Sequence, residues 1–198
     1  HPDVSLILVT DTLTATQKLA TYYRKKFLFP VVGLTGSSGK TTTKDLIASI
    51  LNPLHHPETT LITEGTLNNH WGVPQMVLRL RRFHRGGVFE MGMSDFGEIN
   101  ALAEIAQPNF GYITTIGAAH LEKLGSTEGV LRAKMELFRW IEKNQKNGTL
   151  LFNLDDPLLK NVYEHEKKSF KSKVLTLSSH LKTDYRIFAA NQLDEESH

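Results

Sequence analysis

Short apolar runs alternate with helical stripes along most of this chain. Residues 6–9 are apolar enough for a short strand, and Asp11 then stands where a helix to about Phe27 needs its cap. Pro30 introduces Val31-Val32-Gly33-Leu34-Thr35, a continuous apolar run of the kind buried on both faces of a sheet. Over residues 41–51 the period becomes helical, with Leu46, Ile47, Ile50 and Leu51 as the inward stripe and Pro53 as the stop. Further strands are predicted at 61–63, 87–91, 112–116, 149–152 and 174–177. Helices are predicted at 74–81, with Met76, Val77 and Leu80 on one face, and at 98–106, with Ile99, Leu102 and Ile105 inward. The longest helix is expected over 127–143.

Strands separated by helices argue for an α/β fold: an open, mostly parallel sheet with helices on both faces, wound by right-handed crossovers. Such sheets bind ligands beyond the carboxyl ends of their strands. The loops to inspect are therefore 35–41, 90–94, 117–120 and 153–156. The last of these, Asn153-Leu154-Asp155-Asp156-Pro157, reads equally well as a turn and helix cap.

Composition narrows the class without naming a chemistry. At 198 residues, 40% hydrophobic and 22% charged, the chain has the balance of one soluble globular domain. Its formal charge of +2 is too near neutral to imply a nucleic acid or a membrane as partner. There is no cysteine, which excludes disulfides and thiolate metal sites and fits a cytoplasmic location. No apolar run approaches the roughly 20 residues of a membrane helix, and the first residues lack the plan of a signal peptide. The basic run from Arg79 to Arg85 reads as a solvated helix end, without the aromatic platform of a nucleic-acid module.

The strongest chemical signal is Gly36-Ser37-Ser38-Gly39-Lys40-Thr41-Thr42, between a buried strand and a helix. Glycines let backbone N–H groups converge on phosphate oxygens, and the helix start adds partial positive charge. Lys40 is placed to reach β- and γ-phosphates and the Thr41 hydroxyl to ligate magnesium. The general pattern places a further glycine where Leu34 stands. Glu90 ends the next apolar strand, the position of a magnesium-holding acid or of a plain loop cap. His120 follows another strand and is read either as structural or, at the same sheet edge, as a ligand. Lys134 falls on an apolar helix face with Val130, Leu137, Phe138 and Ile141. Such a lysine snorkels to the helix edge, or is paired, deprotonated or modified.

These stretches together resemble the Mur ligases of peptidoglycan synthesis, and among them the MurF type. The family's short phosphate loop, T-G-x-x-G-K-[ST], is reproduced from Thr35 to Thr41 and accounts for Leu34. The resemblance extends through Leu67-Asn68-Asn69 with Gly72-Val73-Pro74, Glu90-Met91-Gly92, Ala119-His120-Leu121-Glu122 with Gly125-Ser126, and Ala133-Lys134. It implies an ATP-dependent ligase joining D-alanyl-D-alanine to UDP-N-acetylmuramoyl-tripeptide through an acyl phosphate. The alternatives are another muramyl ligase, a folylpolyglutamate synthase, or a nucleotide-binding module without ligase activity.

By the same resemblance, Thr41 and Glu90 hold a first magnesium, while His120 and a carbamylated Lys134 hold a second. Asn68 and Asn69 contact the nucleotide-sugar peptide, although Thr66 after Gly65 departs from the family's G-N-x-N-N loop. The resemblance also implies a monomer, with residues 1–27 as the tail of a UDP-substrate domain and 28–198 as a shortened central ATP-binding domain. On that division the amine-binding third domain is missing, and the chain alone is expected to make no ligated product.

Overall fold

The computed structural model describes residues 5–55 and 58–186. Seven strands form one sheet: β1 (Val31–Thr35), β2 (Thr60–Ile62), β3 (Gly86–Glu90), β4 (Phe110–Ile113), β5 (Thr149–Asn153), β6 (Lys173–Ser178) and β7 (Tyr185–Arg186). Their order is β2-β3-β1-β4-β5-β6-β7, and every neighbouring pair is parallel. The sequence reading of an open parallel α/β sheet holds.

Between the strands run α2 (Lys40–His55), α3 (Gly72–Leu78), α4 (Glu98–Ala106), the short α5 (Leu121–Leu124), α6 (Thr127–Lys134), α7 (Glu136–Asn144) and α8 (Pro157–Glu166), with α1 (Thr12–Arg24) ahead of β1. The step from β1 to β2 runs along the sheet opposite to every later step. Right-handed crossovers therefore put α2 on one face and α3, α4, α7 and α8 on the other. The second layer holds most of the core: Met76, Leu80, Ile99, Leu102, Leu137, Phe138 and Ile141 are all nearly inaccessible and pack with Phe89 and Phe152 of the sheet. The reversal of direction at β1 is the switch point where such sheets open a crevice.

Asp11 caps α1 as expected, accepting from the Thr14 N–H at 2.6 Å. At its other end Arg24, 5% exposed, donates from Nε to the Ala106 carbonyl at 2.8 Å and from its guanidinium to Phe27 and Gln107 carbonyls. One cation thus ties α1 to the end of α4.

Several sequence expectations fail. Residues 6–9 form no strand; Leu6, Ile7 and Leu8 are 91%, 85% and 100% exposed, and apolar residues cannot make a strand without an edge to pair with. On α2 the expected inward stripe is displaced: Leu46 and Ile50 are exposed, while Lys44 and Ala48 face the sheet. Because α2 stands on its face without the neighbours that crowd the other layer, only a narrow line of it is covered. Pro53 does not stop α2, which runs to His55; near a helix end a proline forfeits one backbone bond, not a turn. The expected helix over 127–143 is two helices, broken at Met135, whose N–H bonds to the Leu131 and Ala133 carbonyls. That tightening lets the Glu136 carboxylate turn away and accept from Gly97 and Asn100 N–H groups at 2.7 and 3.1 Å, capping α4 from a neighbouring helix. Among the described residues the longest helix is α2, with 16 residues.

Candidate functional site

The loop between β1 and α2 sits at the switch point. Gly36 is obligatory there, since a Cβ on it would fall 1.7 Å from the Thr114 hydroxyl. Gly39 adopts φ 76°, a left-handed conformation that leads into α2. The loop is pinned from the β4 side. Ser37 N–H donates to the Thr115 carbonyl at 2.8 Å, Ser38 N–H to the Thr115 hydroxyl at 3.2 Å, and the Thr114 hydroxyl to the Ser38 carbonyl at 2.5 Å. With those two N–H groups engaged, the donors left open are the four of residues 39–42, which have no partner one turn back in the helix. Lys40 Nζ rests on the Gly36 carbonyl at 2.9 Å. Thr42 is exposed and makes no side-chain hydrogen bond among the described residues.

Glu90 is the hub beneath the loop. It is 3% exposed and its two oxygens serve different neighbours. Oε2 accepts from the Thr41 hydroxyl at 3.3 Å and Oε1 from Asn68 Nδ2 at 2.8 Å. Its own N–H is held by the Thr63 hydroxyl at 2.9 Å, and the Thr63 carbonyl accepts from buried Lys44 at 2.8 Å. Asn69 turns instead to the backbone, accepting from Trp71 and Gly72 N–H groups at the start of α3. Hence the two asparagines divide the work: one touches the acid and the other shapes its loop.

A cavity of about 570 Å³ opens beside this hub, lined by Lys40, Asn68, Asn69, His120 and Lys134 with Gly36 and Ser37. Lys134 is 3% exposed and has no hydrogen-bonding or ion-pairing partner among the described residues. Burial first, and then the charge of Lys40, pulls its pKa down from 10.5 to about 8. Of the readings open for this lysine, snorkelling to an exposed edge is removed. His120 is exposed, with φ 56°, and its carbonyl accepts from Lys123 and Leu124 N–H groups to start α5. It also lines the cavity that Lys134 lines, so the residue stands at the site as well as at the start of a helix.

Two oxygen donors 3.3 Å apart, one a hydroxyl and one a carboxylate, suit a hard cation such as magnesium. Among the described residues no three histidines, aspartates or glutamates gather into a metal site. A magnesium ion would complete its shell with phosphate oxygens and water, as is usual for it.

Several supporting residues left no signal in the sequence. Thr63 and Lys44 lie at ordinary strand and helix positions, and only the fold brings them behind Glu90. The strand expected at 112–116 ends instead at Ile113, because Thr114 and Thr115 leave the ladder to hold the loop. Asp156 is the helix cap and more: Oδ1 caps α8 through Leu158 and Leu159 N–H groups, and Oδ2 accepts from Ile116 N–H at 2.7 Å. It lines a second cavity of about 500 Å³ with Ser37, Ser38, Thr115 and Asn153, on the far side of the loop.

Comparison with known proteins agrees with this geometry. The Mur ligase middle domain family matches residues 34–198. The chain is 39% identical over 194 residues to the UDP-N-acetylmuramoyl-tripeptide–D-alanyl-D-alanine ligase of Bacillus subtilis (strain 168), covering 98% of this chain and 40% of that protein. It superposes on the crystal structure of MurF from Acinetobacter baumannii with a TM-score of 0.79 at 36% identity, over 92% of this chain and 39% of that one. The MurF ligase from Thermotoga maritima in complex with ADP gives 0.77 at 30% identity, over 90% and 39%. The chain spans about two fifths of the length of these relatives. A parallel sheet, a pinned phosphate loop and a match over residues 34–198 lead to one conclusion: this chain belongs to the Mur ligase middle domain family.

Proposed function

We propose that this chain is the ATP-handling part of a ligase that joins D-alanyl-D-alanine to UDP-N-acetylmuramoyl-tripeptide in peptidoglycan synthesis. The observation that carries the reading is the shared carboxylate of Glu90, which meets Thr41 of the phosphate loop on one side and Asn68 on the other. A group that couples the nucleotide loop to a second substrate is what a phosphoryl-transferring ligase requires. On this reading residues 28–198 form the central ATP-binding domain, and 1–27 the tail of a UDP-substrate domain with its linker.

ATP would lie along the loop, its phosphates on the open N–H groups of residues 39–42 and on Lys40, its nucleoside toward the second cavity. The tripeptide's terminal carboxylate, entering the first cavity, attacks the γ-phosphorus and releases ADP, giving an acyl phosphate. The dipeptide amine then adds to the acyl carbon, loses a proton and expels phosphate. Both partners of the first step are anionic, so the site must neutralise charge as they meet. Lys40 supplies one cation. Thr41 and Glu90 would hold magnesium, which when bound screens the phosphate oxygens.

Lys134 and His120 would hold a second magnesium once Lys134 is a carbamate. A pKa near 8 leaves roughly a tenth of this amine neutral at pH 7, several hundredfold more than for an ordinary lysine. The neutral amine adds carbon dioxide and sheds a proton, and the product anion replaces the repulsion between Lys134 and Lys40 with attraction. Labelled carbon dioxide followed by NMR tests this directly: a carbamate signal is expected in the parent protein and none in Lys134→Ala. No signal in the parent overturns the modification. For the ligase reading, sustained ADP release over many turnovers should require ATP, the nucleotide tripeptide and D-alanyl-D-alanine together, measured in a protein carrying this chain with the segments its longer relatives add. Equal rates with an unrelated amine or acid would refute the substrate assignment.

A further inference from the structure

The amino edge of the sheet, opposite the phosphate loop, gathers four cations around two exposed apolar side chains. Lys25 and Lys26 follow α1, while Arg82 and Arg85 lie in the turn between α3 and β3; all four are exposed. Among them stand Leu28, 97% exposed, and Phe83, 56% exposed. The sequence separates these groups widely, but the fold joins them. The Tyr23 hydroxyl donates to the Leu80 carbonyl at 2.9 Å, and a cleft of about 320 Å³ is lined by Lys26, Leu28, Arg82 and Arg85 together. Among the described residues none of the four cations is ion-paired. The acid brought near them is exposed Glu58, whose neighbour Thr59 accepts from the Arg85 N–H at 2.7 Å. The formal charge of +2 conceals this asymmetry.

We propose that this edge docks on an anionic lipid surface, with Leu28 and Phe83 entering the headgroup layer and the four cations meeting lipid phosphates. Attraction of clustered lysines and arginines to an anionic leaflet and shallow burial of apolar side chains are additive, and both are present here. The obvious competing polyanion is a single-stranded nucleic acid, which needs open aromatic faces for its bases. Leu28 offers none, Phe83 packs at a tilt of 35° against the His84 ring with centroids 4.4 Å apart, and the Tyr22 ring is covered by the Lys26 ammonium at 5.1 Å. Leu28 projects, 97% exposed, from the lip of a cleft whose walls also carry Lys26, Arg82 and Arg85, so apolar insertion and phosphate contact fall together there. Because β1 and β3 both begin at this edge, docking leaves the opposite, loop-bearing edge open.

Co-sedimentation of the protein with vesicles of phosphatidylglycerol and phosphatidylcholine, against phosphatidylcholine alone, tests the proposal. Binding is expected to the anionic vesicles only, and to fall away at high salt as charges are screened. The pair Lys25→Glu with Arg82→Glu should weaken it more than tenfold, since each cation contributes about fivefold. The pair Leu28→Ser with Phe83→Ser should weaken it severalfold while leaving the salt dependence. Unchanged circular dichroism melting shows that each variant still folds. No sedimentation with anionic vesicles at low salt, or sedimentation indifferent to both pairs, overturns the proposal. So does tighter capture of a single-stranded oligonucleotide that the charge pair abolishes, which would assign the edge to nucleic acid.

Discussion

An ammonium at Lys134, buried without a carboxylate beside it, holds its proton only to about pH 8, whereas the unfolded chain holds it to about 10.5. Between those values the unfolded state binds more protons, so stability rises with pH. The penalty is fully present below pH 8 and disappears as pH climbs through 10.5. Lys134→Met should therefore stabilise the uncarbamylated protein by on the order of 2 kcal/mol at pH 7 and by little near pH 10.5. Urea denaturation at the two pH values in bicarbonate-free buffer checks this; an equal change at both would mean that packing, not charge, decides. On the proposed carbamate, function runs the other way, since neither Lys134→Met nor Lys134→Arg can carry that group. At Lys40 the expectation is simpler. Lys40→Ala removes the side-chain cation from the loop and should abolish magnesium-dependent ATP binding in calorimetry, with the melting temperature of the free protein unchanged. Retained affinity would undo the phosphate assignment.

Among the elements, α4 and α7 depend on each other at both ends. Glu136 caps the first turn of α4, and Trp140 Nε1 donates to Glu104 near its end at 2.9 Å. Glu136→Ala should cost about 1–2 kcal/mol in denaturant unfolding, like the loss of an ordinary N-cap, even though it lies on another helix. A neutral result would show that water replaces the carboxylate without loss. This contact illustrates what the sequence withheld. The apolar period over 98–106 predicts α4 to the residue, because three inward side chains at helical spacing suffice to specify a helix. The same logic fails at Met135, where the apolar face continues but a cross-helix carboxylate favours a break. It fails again on α2, where Leu46 and Ile50 look like core and Lys44 does not. Periodicity reports which face is apolar; it does not report how wide a strip the neighbours cover, or that a lysine will find a carbonyl at Thr63. The phosphate loop was legible because its chemistry is backbone geometry written in glycines, whereas Thr63, Thr114 and Thr115 act through positions that only the fold brings together.

At the scale of the whole molecule, Arg24 fastens the leading helix to the body through three carbonyls. Arg24→Met keeps the stem but leaves buried carbonyls unsatisfied, and should cost about 2–4 kcal/mol. Limited proteolysis should then cut near α1 first, well before the sheet; cleavage at the parent rate would show that the helix is held by packing with α3 and α4 alone. A different consequence follows from the order of the strands. Among the described residues β1 is the first strand, yet it lies inside the sheet, paired with residues 87–90 on one side and 110–113 on the other. Neither partner exists when β1 leaves the ribosome, and at about 5–20 residues per second its second neighbour arrives several seconds later. Parallel pairings so distant along the chain must close large loops before any contact rewards them, which makes folding slow. The loop that would grip phosphate is shaped by Thr114 and Thr115, so it stays formless until β4 has joined. A nascent chain therefore has no early nucleotide-binding intermediate for ATP to rescue, and ligand can stabilise this protein only after most of it has already folded.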